Sequence, residues 1–201
     1  LKSESNASIC SLVLSKAGNG TIEGFAIPEE GSLAVEGEGM GSGIQSIPVD
    51  FRNCTGLKNI EKWNLTINGG FRGIFINHNS THSEPVILEN VIIDGTTYTI
   101  SCDQGMNQTL EATNSTFNGW TSYAATLGDA KFVNCSFGEG NGYAYCRPYA
   151  PTEFVNCAFE AGYTLDPRAA VTFENCTLDG VALTAANIGE LVTDTTKATV
   201  K

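Results

Sequence analysis

Hydrophobic and polar residues repeat in a short pattern between residues 131 and 180. The segments 131–137, 153–159 and 172–178 read KFVNCSF, EFVNCAF and TFENCTL. In each segment a Phe stands two positions before an Asn, a Cys directly follows that Asn, and a large apolar residue stands three positions after it. A short segment repeated at near-constant spacing is typical of proteins built from stacked structural units.

Weaker copies of the pattern align on an Asn earlier in the chain, and a degenerate copy precedes them at 51–55. The aligned residues are Asn64, Asn90, Asn114, Asn134, Asn156 and Asn175, at intervals of 26, 24, 20, 22 and 19 residues. The positions two before, one after and three after the Asn are mostly apolar. We therefore expect all three positions to face the core of a repeat of about 22 residues.

The parity of these positions predicts a bend at each Asn. In an unbroken strand, side chains face one side only at even separations, so the positions two before and one after the Asn cannot both face inward. The chain must turn between them, and Asn tolerates the left-handed backbone conformation. A predicted Gly turn follows in each copy, at Gly69, Gly95, Gly119, Gly142, Gly162 and Gly180.

Further stretches with strand character follow several of these turns, at 73–76, 98–102 and 143–146. Two or three short strands in about 22 residues predict one coil of an all-β solenoid, in which each strand pairs with its equivalent in the next coil. A leucine-rich repeat has a similar period but needs a helical return segment, whereas these returns are rich in Gly, Tyr, Thr and Pro. We predict N-terminal strands or a cap at 1–49, coils at 50–181 and a C-terminal cap at 182–201, with helical turns at 185–192 and a last strand at 198–201.

The Phe-x-Asn-Cys-x-Phe copies, with Asn at the bend and Gly after the second strand, resemble the repeats of the pectate-lyase-like superfamily. They are most similar to repeats of large bacterial surface proteins, including those of gut bacteria. The resemblance covers about residues 50–180 and implies a right-handed parallel β-helix. It implies no single function, because that superfamily includes lyases, hydrolases, phage tailspikes and non-catalytic adhesins.

The net charge argues against two classes of partner, and the cysteine spacing argues against a metal site. The chain has 22 acidic and 11 basic residues, a net charge of -11 that disfavours nucleic acid and anionic membranes. No apolar run approaches the ~20 residues that span a bilayer. Seven cysteines occur, and no Cys-x-x-Cys pair is among them. Four of them occupy the repeated slot, and we interpret these as small, buried, reduced thiols: Cys54, Cys135, Cys157 and Cys176. We predict no metal site and no cofactor.

The chain begins without a Met and without the basic and apolar regions of a signal peptide. We expect it to be a piece of a larger surface protein. Enzyme signatures of the resembled superfamily, an Asp-Asp pair and Gly-His-Gly, do not occur in the sequence, and we predict no catalytic residue. A sparse lyase site remains conceivable at Arg147, Asp166 and Arg168, because these side chains fall in return segments one repeat apart.

Two sets of residues are candidates for binding. His78 and His82 lie in the polar segment of the longest interval, which we interpret as a surface loop where a ligand could be met. Trp120, Tyr143 and Tyr163 follow the Gly turns of three successive coils, and Tyr145 stands two residues beyond the middle one. With coils ~4.8 Å apart, the stripe would span ~10 Å. Facing outward it would offer a platform to sugar rings or a protein, and facing inward it would be a core ladder.

The leading hypothesis is a non-catalytic, adhesin-like binding module at the extracellular surface of a bacterium. Its partner would be a host glycoprotein, an immunoglobulin or a glycan, bound without insertion into a membrane. Two alternatives remain open: a polysaccharide lyase, hydrolase or tailspike-like fragment, and a structural stalk that spaces another domain from the cell.

Overall fold

A computed structural model describes the backbone and side chains of residues 65–74, 86–100, 109–121 and 129–201. Elsewhere it describes only short strand segments by their backbone, at 7–9, 12–13, 20–21, 33–36, 49–51, 54–55, 75–76, 101–102 and 122. Among the described residues, no helix combines the length and the apolar character needed to cross a membrane.

The regular secondary structure of the described residues consists almost entirely of short strands. The first eleven are β1 (Ala7–Ile9), β2 (Leu12–Val13), β3 (Gly20–Thr21), β4 (Leu33–Glu36), β5 (Val49–Phe51), β6 (Cys54–Thr55), β7 (Leu65–Asn68), β8 (Arg72–Ile76), β9 (Val86–Glu89), β10 (Val91–Asp94) and β11 (Tyr98–Cys102). The others are β12 (Leu110–Thr113), β13 (Thr116–Asn118), β14 (Trp120–Ser122), β15 (Ala130–Val133), β16 (Ser136–Gly138), β17 (Tyr145–Cys146), β18 (Thr152–Val155), β19 (Ala158–Phe159), β20 (Thr164–Leu165), β21 (Val171–Glu174), β22 (Thr177–Leu178), β23 (Val181–Ala182) and β24 (Ala198–Val200). Two 3₁₀ helices lie near the C-terminus, at Ile188–Glu190 and Thr195–Lys197.

Strands from successive coils assemble into three main sheets in the described part of the chain. Sheet 1 has the order β1, β4, β7, β10, β13, β16, β19, β22, β23; sheet 2 has the order β2, β5, β8, β11, β14, β17, β20; sheet 3 has the order β9, β12, β15, β18, β21, β24. β3 and β6 form a further pair. Neighbours pair in parallel, except that β23 runs antiparallel to β22.

The four coils that begin at β9, β12, β15 and β18 each contribute one strand to sheet 3, one to sheet 1 and one to sheet 2. β12, β13 and β14 form one coil, for example, and β15, β16 and β17 form the next. Pairing within sheet 3 keeps a constant register, with Phe132 opposite Phe154 and Phe154 opposite Phe173. The protein is therefore an all-β parallel solenoid with about 22 residues per turn, which confirms the predicted fold class.

The predicted bends lie at the corner between sheet 3 and sheet 1. The corner Asn residues all have positive φ, between 52° and 56°: Asn90, Asn114, Asn134, Asn156 and Asn175. The six predicted turn glycines also have positive φ, from 66° to 136°. Asn64 lies outside the described residues. The predicted bend is thus confirmed at these five Asn residues, and the strands on both sides of each bend direct side chains into the core.

Aromatic side chains stack along the solenoid axis inside the coils. Phe154 is fully buried between Phe132 and Phe173, with 5.3 Å between ring centroids on both sides and nearly parallel planes. Phe137 and Phe159 stack at 5.0 Å in the same way on the sheet 1 side. Since equivalent positions repeat in register, successive coils extend two ladders of buried rings, Phe132, Phe154 and Phe173 in sheet 3 and Phe117, Phe137 and Phe159 in sheet 1.

The repeated Cys slot bridges the corner between coils. Each of its thiols donates a hydrogen bond to the carbonyl two residues earlier, as Cys157 does to Val155 at 3.4 Å. Each thiol also accepts the backbone N–H of the equivalent residue in the preceding coil, so Cys157 accepts from Cys135. Ser115 occupies the same slot and makes the same pair of bonds, with Thr113 and Val91. The slot therefore holds a small side chain that satisfies backbone groups left unpaired by the bend.

The cysteines with described side chains are all free and buried, as predicted: Cys135, Cys146, Cys157 and Cys176. At the C-terminus, β24 adds to sheet 3 with Ala198 opposite Val171 and confirms the predicted last strand. A 3₁₀ helix at Ile188–Glu190 lies within the predicted helical segment. At the other end, β4 pairs with β7 in sheet 1. The boundaries at residues 50 and 182 remain predictions.

Candidate functional site

The outer face of sheet 2 carries most of the predicted aromatic residues. Pairing aligns Arg72, Tyr98, Trp120, Tyr145 and Thr164 in one outward column. All five are partly exposed. The next position along these strands faces inward, where Thr121 and Cys146 are fully buried.

Tyr163 does not share an outward stripe with Trp120 and Tyr143, and it takes the inward orientation that the sequence left open as an alternative. Tyr163 is only 1% exposed and packs against Phe137 and Phe159 in the core. Burial raises the pKa of its hydroxyl well above the ordinary value. The residue opposite Tyr145 in that coil is Thr164, so the outward aromatic column ends one coil earlier than predicted.

The rings of the column pack against one another along the axis. Trp120 lies 5.3 Å from Tyr98 on one side, and 4.7 Å from Tyr145 and 5.7 Å from Tyr143 on the other, between ring centroids. Guanidinium groups lie over both ends, with Arg72 5.8 Å from the Tyr98 centroid and Arg147 5.8 Å from that of Trp120. The faces of Trp120 are thus largely covered by neighbours, and this column is not the open platform that the sequence suggested.

Exposed ring surface lies beside the column instead, on Tyr143 and Tyr149. Tyr143 is 41% exposed in the turn that precedes β17, and Tyr149 is 47% exposed in the turn that follows it. The two rings flank the outward position of Tyr145. Tyr149 was not predicted from the sequence, although its place directly after Pro148 in a return segment was a usable signal for a turn.

A hydrogen-bonded cluster centred on Asp166 includes Tyr145 of the outward column. We call Tyr145, Arg147, Asp166, Arg168 and Thr193 the Asp166 cluster. The carboxylate oxygen Oδ2 accepts from the Tyr145 hydroxyl at 2.7 Å, from Arg147 Nε at 3.0 Å and from Arg168 Nη2 at 3.0 Å. Oδ1 accepts from the Thr193 hydroxyl at 3.1 Å. Arg147 Nε also donates to the Tyr145 oxygen at 2.9 Å, and Tyr149 is a further hydrogen-bond partner of Arg147.

Two stacked proline turns bring the cluster together. Arg147 and Asp166 each precede a buried proline, at 148 and 167. Arg168 N donates to the Pro148 carbonyl at 2.6 Å, which fixes one turn above the other. Since each coil repeats the path of the one before it, opposite charges in equivalent positions meet across the coil spacing.

The cluster sets the protonation states of its members. Burial raises the pKa of Tyr145 to about 12, with a further contribution from its hydrogen bond to Asp166. The hydrogen bond from Tyr145, and those from Thr193 and Arg147, lower the pKa of Asp166. At neutral pH the cluster therefore contains a protonated tyrosine, an ionised carboxylate and two guanidinium groups, and none of these is a ready proton acceptor.

The other candidate residues contribute less. His78 and His82 lie outside the described residues. Within the described ranges, no three His, Cys, Asp or Glu side chains come together as a metal site. On the outer face of sheet 3, Lys131 and Glu153 form an ion pair at 3.6 Å beside a depression of about 230 Å³. Both side chains are about half exposed, so solvent screens this pair.

Comparison with protein-family models, with curated proteins and with solved structures finds no significant match. The candidate site is therefore defined by its own geometry. That geometry is a rigid outward column, two exposed tyrosine rings and a charged hydrogen-bonded cluster on one face of the solenoid.

Proposed function

We propose that this chain is a non-catalytic binding module that recognises a glycan through the outer face of sheet 2. The observation that carries the proposal is the pair of exposed tyrosine rings, Tyr143 and Tyr149, in the turns before and after the strand of Tyr145, which belongs to the Asp166 cluster. Aromatic faces pack against the apolar faces of sugar rings, and fixed polar groups beside them bind hydroxyl and acidic groups.

Rigidity of the supporting sheet favours binding over chemistry. Tyr145 lies in a strand paired on both sides, and Arg147 and Arg168 are held by the same carboxylate. Side chains fixed in this way lose little conformational entropy when a ligand binds. The glycan could be carried by a host glycoprotein, and an immunoglobulin is one such partner.

The setting of the module is part of the same proposal. The Phe-x-Asn-Cys-x-Phe repeats resemble those of the pectate-lyase-like superfamily and of gut bacterial surface proteins. On this basis we propose an extracellular location at a bacterial cell surface, as one adhesin-like unit of a longer protein.

A polysaccharide lyase is the second candidate, since the structure brings Arg147, Asp166 and Arg168 together as such a site would need. Two observations oppose it. Asp166 is already engaged by four donors, and an arginine stays protonated at physiological pH. A structural stalk is the third candidate, and it would leave the exposed rings without a role.

The test is a glycan array probed with the purified chain, followed by affinity measurements on the best ligand. Replacing Tyr143 and Tyr149 together by Ala should weaken binding by about tenfold or more, because both stacking surfaces are lost. Ile92 is 46% exposed on the outer face of sheet 1, so Ile92→Ala is the matched control and should bind normally. Accumulation of new unsaturated or reducing ends in the bound glycan would instead support the enzyme.

A further inference from the structure

The Asp166 cluster has little capacity left to accept hydrogen bonds. A carboxylate offers about four lone-pair sites. In Asp166, Oδ2 accepts from Tyr145, Arg147 and Arg168, and Oδ1 accepts from Thr193, at 2.7 to 3.1 Å. Its side chain is only 20% exposed. A ligand hydroxyl approaching Oδ2 would have to displace a charged or well-aligned donor.

Donor capacity remains, and it lies on Arg168. A guanidinium carries five N–H bonds in a planar fork. Among the described residues, Asp166 is the hydrogen-bond partner of the Arg168 guanidinium, through Nη2 alone. The Arg168 side chain is 49% exposed, so its remaining N–H groups face solvent beside the turn that carries Tyr149.

The charges of the Asp166 cluster also favour binding of an anion. Arg147 and Arg168 share one carboxylate, which leaves one positive charge in the cluster. The nearby Lys197 donates to the Pro167 carbonyl and is paired with Asp194 at 3.1 Å, so it does not cancel that charge. The chain as a whole has a net charge of -11. Beyond the Debye length of about 8 Å these distant charges are screened, and the local excess decides what binds here.

We propose that this face selects glycans bearing an oxyanion, a carboxylate or a sulfate ester, and that Arg168 receives it. The inference rests on the proposed glycan-binding function and specifies its ligand class. Arg168 would hold the oxyanion through a charge-assisted pair of hydrogen bonds, while the exposed rings of Tyr143 and Tyr149 pack against the sugar.

The experiment is an array on which the same oligosaccharides are displayed in neutral, carboxylated and sulfated form. Wild-type protein should bind charged forms at least about tenfold more tightly than their neutral parents, and the two charged arms identify the group preferred. Arg168→Gln should remove most of that difference, because a charged hydrogen bond contributes about tenfold in affinity. Lys131→Gln removes an equal charge from the outer face of sheet 3 and should change nothing.

Three results would overturn the inference. Equal binding of neutral and charged forms, unaffected by Arg168→Gln, would refute the selection of oxyanions and leave the glycan-binding function standing. An equal loss in Lys131→Gln would show that net charge, and not Arg168, governs the preference. If the folded wild-type protein bound none of the neutral, carboxylated or sulfated glycans, both proposals would be overturned. Binding of acidic peptides instead of glycans would identify a protein partner.

Discussion

The corner between sheets 3 and 1 and the outer face of sheet 2 obey opposite rules. At the corner, the slot after the bend Asn holds a small side chain in four successive coils, Ser115 and then Cys135, Cys157 and Cys176, after Val91 in the coil before them. On the outer face of sheet 2, the aligned residues differ in almost every coil: Arg72, Tyr98, Trp120, Tyr145 and Thr164.

This difference separates the residues that stabilise the solenoid from the outward residues that are available to bind a ligand. A position that faces the neighbouring coil must fit the same space each time, so stacking imposes repetition on it. An outward position faces solvent and is free of that constraint. Non-repeating residues on one outer face, gathered into a hydrogen-bonded cluster, therefore deserve a functional explanation more than the repeats do.

The largest expected effect comes from breaking the inner ladder. Phe154→Ala should lower the free energy of unfolding by about 3–5 kcal/mol, because it leaves a cavity between Phe132 and Phe173. Phe154→Leu should cost clearly less, since most of the volume is kept. Urea unfolding followed by circular dichroism measures both. A loss below about 1 kcal/mol for the Ala variant would mean that this ladder does not hold the stack together.

The next effect concerns the corner slot. Cys157→Ala should destabilise the protein by about 1–3 kcal/mol, because it leaves the buried backbone N–H of Cys135 without its acceptor. Cys157→Ser should cost less, since Ser115 makes the same two bonds with a hydroxyl. The comparison is made by the same unfolding measurement. Equal stability of the Ser and Ala variants would show that the slot requires small size alone.

The bend itself should contribute somewhat less. Asn156 has a φ of 53°, a conformation that costs most residues about 1–2 kcal/mol. Asn156→Ala should be destabilised by about that amount, whereas Asn156→Gly should remain close to wild type. Thermal unfolding of the two variants tests this. If Gly proves as harmful as Ala, the cost belongs to the side-chain hydrogen bond between Asn156 and Asn134 at 3.1 Å, and not to the backbone.

The smallest effect on stability should come from the outer cluster, and only at high pH. Tyr145 has its pKa raised from 10.0 to about 12 in the folded protein. Its contribution to stability is therefore complete below pH 10 and is lost as the pH rises through about 12, because the unfolded state loses the proton first. Tyr145→Phe should remove this part of the decline. Tyrosinate absorbance of the two proteins is titrated side by side, and the difference between the curves reports Tyr145. A midpoint near pH 12 is expected, and a midpoint near pH 10 would contradict the assignment.

Much of the fold could be predicted because parity and repetition report on the core. The left-handed Asn residues, the inward Phe positions and the buried thiols follow from residue spacing alone. The outer face could not be predicted in this way, because the turns after the glycines differ in length. Trp120 directly follows Gly119, whereas its partner Tyr145 comes three residues after Gly142. Counting from the glycine therefore grouped Tyr163 with Trp120 and Tyr143 and left their orientation open, whereas in the structure Tyr163 lies in the core.

The Asp166 cluster was only partly within reach of the sequence. Arg147, Asp166 and Arg168 could be singled out by their place in the return segments. Their common use of one carboxylate depends on the stacking of two proline turns, which no pattern in the chain reveals. Tyr149 and Thr193 join the site through the same three-dimensional arrangement, the latter from the C-terminal segment.

The most direct test compares Tyr149→Ala with Phe154→Leu in two assays, affinity for the best glycan on the array and free energy of unfolding. If the outer-face residues bind the glycan and the core residues stabilise the fold, Tyr149→Ala should lose about tenfold in affinity. Its free energy of unfolding should stay within about 0.5 kcal/mol of wild type. Phe154→Leu should lose stability and keep its affinity under conditions where it is folded. Retained affinity in folded Tyr149→Ala would contradict the division between the two faces.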